Sequence, residues 1–558
     1  MRKIFKKVCS IILISSLSVT ILAGCGGDEK KPEETTTVDI STLTPEEYYN
    51  VLSWKDEEFE LSTEDHYRNY YEVFVYSYAD SNGDGIGDIN GLISKLDYIE
   101  DMGFNGIWLM PVMPSTTYHK YDVIDYYDID EEYGTMDDFK NLVEECHKRN
   151  INIIIDLVFN HTSSQHEWFK TARDYYKSLE AGQEPDFEEC PEADYYNFKK
   201  EEDIKTPNAY TKVAGTEYFY ESQFWSGMPD LNLRNEAVRR EIEKIVDFWI
   251  EIGVDGFRLD AAKEYFSGGT DANVEVLDWF CSYVKSVRED AYIVAEVWDS
   301  QATIANYYKS GIESIFDYAF GNYSGILVKS INQMNGQWFA KCLESGENKY
   351  YESNSEMVNA PFASNHDTGR IPGFVSNDEN KVKFAGALNQ LMSGCSFAYY
   401  GEEIGMTGGV SAKDENARAP MNWSNFSGGV TTVGPPAMDE IEHRFPSAEE
   451  QLKDKNSILW YYKQMLHIRS TYEEIARGKT TAVEVSEDTA IAGIKKTYND
   501  KEMIILCNFG IEEKTVTLSK DTYGYEALVA TLVTSTDYEV KIDGETITLP
   551  PYGIAFLK

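Results

Sequence analysis

The chain has 558 residues, is 42% hydrophobic and 26% charged, and carries a formal net charge of -44. That length exceeds one ordinary domain and leaves room for a large core with satellites. The acidic excess would repel phosphate backbones, so no nucleic-acid partner is expected, and an excess of carboxylates is also a source of cation ligands.

The chain opens with Arg2, Lys3, Lys6 and Lys7, then an apolar run from Val8 to Leu22. This run is short for a membrane span and has the charge pattern of a secretory signal. It ends in Leu22-Ala23-Gly24-Cys25, which resembles the bacterial lipobox, in which the cysteine is lipidated. Cys25 is therefore the expected lipid anchor, residues 1–25 the signal, and the polar stretch 26–65 a tether and N-terminal extension. The resulting expectation is an extracytoplasmic, membrane-anchored protein acting as a single chain. The six other mature cysteines are scattered with no metal-type spacing, so buried thiols are expected; a disulfide among them stays open.

From about residue 70, short apolar runs alternate with amphipathic ones. The strand-like runs are 72–78, 103–111, 151–160, 254–261, 291–298, 312–320, 358–367 and 396–405. Helical periodicity falls between them, as in 136–150 and 235–253. Eight such runs separated by helices predict an α/β fold, a parallel (β/α)8 TIM barrel, over 66–160 and 226–455. A Tyr- and acid-rich interval at 161–225 reads as a subdomain inserted after the third strand. Over 456–558 a helix leads into short alternating segments, predicting a C-terminal antiparallel β-sandwich domain.

Chemically capable residues stand at the ends of these runs, where such barrels place active sites. GFRLDAAK (256–263) sets Arg258 and Asp260 on one strand face, so the guanidinium keeps the carboxylate ionised. AEVW (295–298) ends the next run in Glu296, and SNHD (364–367) supplies His366 and Asp367. Two carboxyl groups ~5–5.5 Å apart are what retaining glycoside hydrolysis requires. ADSNGDGIGD (79–88) offers Asp80, Asn82, Asp84, the Ile86 carbonyl and Asp88, hard oxygens at alternate positions that suit Ca2+. A Gly/Asp turn without metal is the other reading of that run.

In order along the chain, KYDVIDYYDIDEEYGT (120–135), DLVFNH (156–161), MPDLN (228–232), GFRLDAAK, EVW and ASNHD resemble glycoside hydrolase family 13, the α-amylase family. The resemblance implies Asp260 as nucleophile, Glu296 as acid/base and Asp367 as transition-state stabiliser. It further implies Tyr121, Asp122, His161, Arg258, Lys263 and His366 as substrate-site residues, Ca2+ at 80–88, and an α-glucan substrate such as starch. Many family members hold a second calcium through Asn160; Glu264 stands where they usually have His. Exo-acting members carry Asp where this chain has Tyr118, with a later arginine matched by Arg418. MPDLN lies between the oligo-1,6-glucosidase and neopullulanase forms. An α-amylase is therefore expected, with α-glucosidase, oligo-1,6-glucosidase or 4-α-glucanotransferase activity as alternatives. A non-catalytic starch-binding lipoprotein ranks last, because all three carboxylates are present.

Overall fold

A computed structural model describes residues 65–180, 182–408, 413–424 and 432–558. The signal, Cys25 and nearly all of the tether lie outside the described residues.

Three barrel strands come first: β1 (Asn69–Val73), β2 (Gly106–Leu109) and β3 (Asn152–Leu157). The inserted segment follows, with a helix at Glu167–Ser178 and a small antiparallel sheet of β4 (Phe198–Lys200), β5 (Tyr210–Lys212) and β6 (Tyr218–Glu221) in the order β4-β6-β5. The barrel resumes with β7 (Gly256–Leu259), β8 (Tyr292–Ala295), β9 (Ser314–Ile315) and β10 (Ser396–Tyr399). These seven form one parallel sheet, β10-β1-β2-β3-β7-β8-β9. The run at 358–367 forms no continuous strand. It closes the ring through two parallel bridges, Phe316–Ala360 towards β9 and Phe362–Phe397 towards β10. Two other runs turn helical: Val75–Tyr78, expected to extend the first strand, is a helical turn, and a 3-10 turn at Glu402–Ile404 follows β10.

The helices between strands follow the apolar period. Met136–Lys148 buries Phe139, Leu142, Val143 and Cys146, and Thr135 with Asp138 forms a capping box at its start. Asn235 caps Glu236–Ile252, which stops at Gly253 in the left-handed region. The barrel interior is filled with side chains, as a closed ring of this size must be. Tyr70 stacks on Phe397 at 4.8 Å and on Tyr292 at 5.2 Å, with Trp108 against Phe316. Gly106 is needed beside them: a Cβ there would lie 2.6 Å from the Tyr70 ring.

The C-terminal part begins with the helix Ile458–Thr471. Its strands are β11 (Lys479–Ala482), β12 (Ile491–Tyr498), β13 (Lys501–Asn508), β14 (Lys514–Thr517), β15 (Leu528–Leu532), β16 (Lys541–Asp543), β17 (Thr546–Leu549) and β18 (Ile554–Leu557). They make antiparallel sheets β11-β12-β13-β18-β15 and β14-β17-β16. One apolar core, including Ile504 and Leu557 from the first and Val516 and Ile547 from the second, lies between them. Of the six described cysteines, five are buried, Cys342 is half-buried, and all are free thiols.

Candidate active site

The register of three neighbouring strands assembles the centre. Asp156 on β3 pairs with Arg258 on β7, and Leu259 on β7 pairs with Ala295 on β8. One residue further on, Asp260 and Glu296 leave their strands side by side, with the Glu296 N–H bonded to the Leu259 carbonyl at 3.0 Å. Ala261 then turns into the left-handed region at φ 49°, which ends the strand directly behind Asp260.

Arg258 is fully buried and holds three carboxylates. Its Nη1 donates to both Asp156 oxygens at 2.8 and 2.9 Å and to Asp260 at 2.8 Å, while Nη2 donates to Glu296 at 2.6 Å. Glu296 also accepts the Ala261 N–H at 3.2 Å. Burial pushes the Glu296 carboxyl up to about 7; Arg258 opposes this, and the charges of Asp260 and Asp367 add to it.

A second network holds Asp367. His366 Nδ1 lies 2.5 Å from Glu72 on β1, and its Nε2 lies 3.0 Å from Asp367 and 2.8 Å from the Tyr121 hydroxyl. Burial alone would favour the neutral ring, but Asp367 and Glu72 raise it to about 10, so His366 is an imidazolium near neutral pH. Against burial, His366 and then Arg418 hold the Asp367 carboxyl well below the usual range. Arg418 donates to Asp367 at 2.8 Å and to the Tyr118 hydroxyl at 3.2 Å. Tyr121 donates to Asp156 at 3.0 Å, which joins the two networks.

Asp260, Glu296 and Asp367 all line one cleft of about 700 Å3. Tyr121, His161 and Lys263 line it too; Arg258 and His366 sit behind its wall. Asp122 is placed differently from expectation. It is fully buried, its oxygens taken by the hydroxyls of Ser115, Thr116, Thr117 and Ser163, so it braces the loop and does not reach the cleft.

Several lining residues went unrecognised in the sequence: His119, Phe224, Trp225, Trp298 and Asp414. Trp298 stood inside the EVW block, and Phe224 and Trp225 just before MPDLN; their half-exposure, 43% for Trp298 and 52% for the other two, is what marks them. Glu72 gave no signal, because a lone acid within an apolar strand reveals its partner only when His366 arrives from across the barrel.

The loop at 80–88 is closed by its own backbone. Asp80 accepts N–H bonds from Asn82, Gly83 and Gly85, Asn82 from Asp84, Asp84 from Ile86, and Asp88 from Ser81 and Gly91. The donors are all hard oxygens, the chemistry Ca2+ prefers. Among the described residues no three or more His, Cys, Asp or Glu side chains are grouped to hold a metal ion; the expected set also draws on the Asn82 side chain and the Ile86 carbonyl. The aspartates turn inward to the amides of the loop.

The α-amylase catalytic-domain family model matches residues 72–478, and the C-terminal domain model of α-amylase SusG matches 491–553. The chain is 38% identical over 495 residues to α-amylase 3 of Dictyoglomus thermophilum, covering 88% of this chain and 93% of that one. It is 29% identical over 519 residues to an oligo-1,6-glucosidase of Halalkalibacterium halodurans, covering 79% and 89%. The solved structure of Eubacterium rectale Amy13B superposes with a TM-score of 0.87 at 43% identity, covering 91% of this chain and 99% of that one. With the family model spanning most of the chain and the carboxylates gathered at the mouth of the barrel, this protein belongs to the α-amylase family, glycoside hydrolase family 13, and is a glycoside hydrolase.

Proposed function

We propose that the chain is a retaining α-amylase that hydrolyses α-1,4-glucosidic bonds in starch and malto-oligosaccharides. The observation that carries this is Arg258 bridging Asp260 and Glu296 in the cleft that also holds Asp367. Asp260, oriented by the Arg258 Nη1 that donates to it at 2.8 Å, attacks the anomeric carbon. The breaking C–O bond leaves its electron pair on the departing oxygen, which takes the Glu296 proton. Glu296, now a carboxylate, removes a proton from water; that water attacks the same carbon and frees Asp260. Two inversions leave the α configuration. Asp367, anionic between His366 and Arg418, stabilises the positive charge that develops on the sugar ring.

The test is to digest maltoheptaose blocked at its non-reducing end and follow the anomeric signal of the products by proton NMR. Internal cleavage with first-formed α-anomers supports the reading. Initial β-anomers would remove the retaining mechanism. Glucose released only from unblocked chains would favour the exo-acting α-glucosidase alternative.

Three further elements belong to this proposal. Ca2+ held by Asp80, Asn82, Asp84, the Ile86 carbonyl and Asp88 would brace the first strand-to-helix loop; the all-oxygen donor set supports it. Lipidation at Cys25 would tether the enzyme outside the cytoplasm, and the lipobox-like LAGC supports that. The single chain would suffice, since the cleft draws its carboxylates from one copy.

A further inference from the structure

Arg370 is fully buried and takes no part in the chemistry described above, yet it stands three residues after Asp367 on the same turn. Asn365 closes that turn: its side-chain oxygen accepts the N–H groups of Asp367 and Thr368, both at 3.0 Å. Asp367 and Arg370 leave the turn to grip one segment, 413–424, at adjacent positions. Asp367 takes the Arg418 guanidinium at 2.8 Å, and the Arg370 Nε donates to the Ala417 carbonyl at 3.1 Å.

Two further side chains continue the pattern. Ser77, on the helical turn after β1, donates to the Arg418 carbonyl at 2.7 Å. Tyr400, directly after β10, donates its hydroxyl to the Ala419 carbonyl at 2.6 Å. Three consecutive carbonyls, 417 to 419, are thus each held by a buried side chain from a different part of the barrel. These donors are themselves fixed. The Arg370 Nη1 donates to the Tyr400 carbonyl at 2.6 Å, and its guanidinium lies 4.4 Å and 4.8 Å from the Tyr399 and Tyr400 ring centres. The Met421 N–H returns to the Ser77 carbonyl at 2.8 Å.

Buried carbonyls at the end of the short helical turn Asp414–Ala417 need partners, and side-chain donors fix the direction of the main chain as well as satisfying it. Pinned at its own carbonyl and on both sides, Arg418 reaches Asp367 from a set position, and catalysis is sensitive to shifts of that kind. We propose that Arg370, Ser77 and Tyr400 are positioning residues for the hydrolysis, setting the main chain at 417–419 so that Arg418 holds Asp367 in place at the sugar. The proposal rests on the role given to Asp367 above. Bonds that act through Arg418 in this way alter transition-state stabilisation, so they move kcat and spare KM.

The experiment measures kcat and KM on maltoheptaose for Tyr400→Phe, Ser77→Ala and Arg370→Lys, each alone and each combined with Arg418→Gln. Alone, each should lower kcat about tenfold with KM within about twofold of the wild type, while thermal unfolding stays cooperative. Combined with Arg418→Gln, itself expected to be slow, each should lower kcat further by less than about twofold, because the group being positioned is gone. Tyr400→Phe and Ser77→Ala each delete one hydroxyl, so the test stands even if Arg370→Lys does not fold. Equal losses with and without Arg418 would assign the three to packing and overturn the proposal alone. Native kcat in Arg418→Gln would also overturn it, by removing Arg418 from the reaction. A wild type inert on maltoheptaose would overturn the α-glucan reading and the proposal together.

Discussion

The Arg258 guanidinium donates to the Glu296 carboxylate at 2.6 Å, yet Glu296 keeps its proton up to about pH 7. Arg258 is shared with Asp156 and Asp260, so its single charge is spread over three acids while Glu296 carries the full cost of burial. The consequence is a general acid poised near neutrality. The kcat/KM for maltoheptaose should fall as pH rises through about 7, tracking loss of that proton. Because the folded value is raised, Glu296 also favours the folded state most below the ordinary carboxylate range and loses that contribution as pH climbs through 7. A flat profile from pH 6 to 9 would count against Glu296 as the acid.

Asp260→Asn removes the proposed nucleophile, and Glu296→Gln the proton donor. Each should lower kcat on starch by about a thousandfold or more while thermal unfolding stays cooperative. Reducing-sugar release from the purified variants decides it, and near-native turnover in either would remove that residue from the mechanism.

Glu72 acts through His366. Glu72→Gln keeps the shape and removes one of the two charges that hold His366 as an imidazolium. The His366 pKa, followed by NMR of the labelled ring, should drop, and kcat should fall by about tenfold. Activity loss with an unmoved His366 titration would assign Glu72 a packing role instead.

The 80–88 loop gives a metal test that does not depend on turnover. If Ca2+ binds there, exhaustive chelation should lower the melting temperature by a few degrees, and calcium should restore it, because a ligand specific to the folded state stabilises it. Asp80→Asn should erase the calcium response. An identical melting temperature with chelator and with excess calcium would show the loop to be closed by its own amides.

Lys496 on β12 is buried where the C-terminal strands meet the helix Gly336–Ser353. It donates to Ser393 at 2.6 Å and Thr480 at 2.8 Å, with Glu347 at 4.0 Å. Burial lowers its pKa to about 8, so the charged form is carried at a cost below that value. Between about 8 and its ordinary value the unfolded chain binds the extra proton, so stability should rise with pH across that window. Lys496→Met should flatten the rise, as read from denaturant midpoints at pH 7.5 and 9.5.

Much of this was legible from sequence. The alternation of apolar runs with 3.6-period stretches determined the barrel, because both periods arise from local backbone geometry. The i, i+2 spacing of Arg258 and Asp260 placed them on one face for the same reason, and the ordered motif blocks led to the family. Tertiary structure decided the rest. The run at 358–367 holds its place by isolated bridges to Phe316 and Phe397, since only ring closure brings those partners within reach. Asp122 turned out to be a buried brace because three hydroxyls of its own loop fold back onto it. The partnerships of Glu72 with His366, Arg418 with Asp367, and Arg370 with Ala417 depend on how separate segments meet in space. No local period encodes them, so sequence supplied the reacting groups while packing set their protonation and their company.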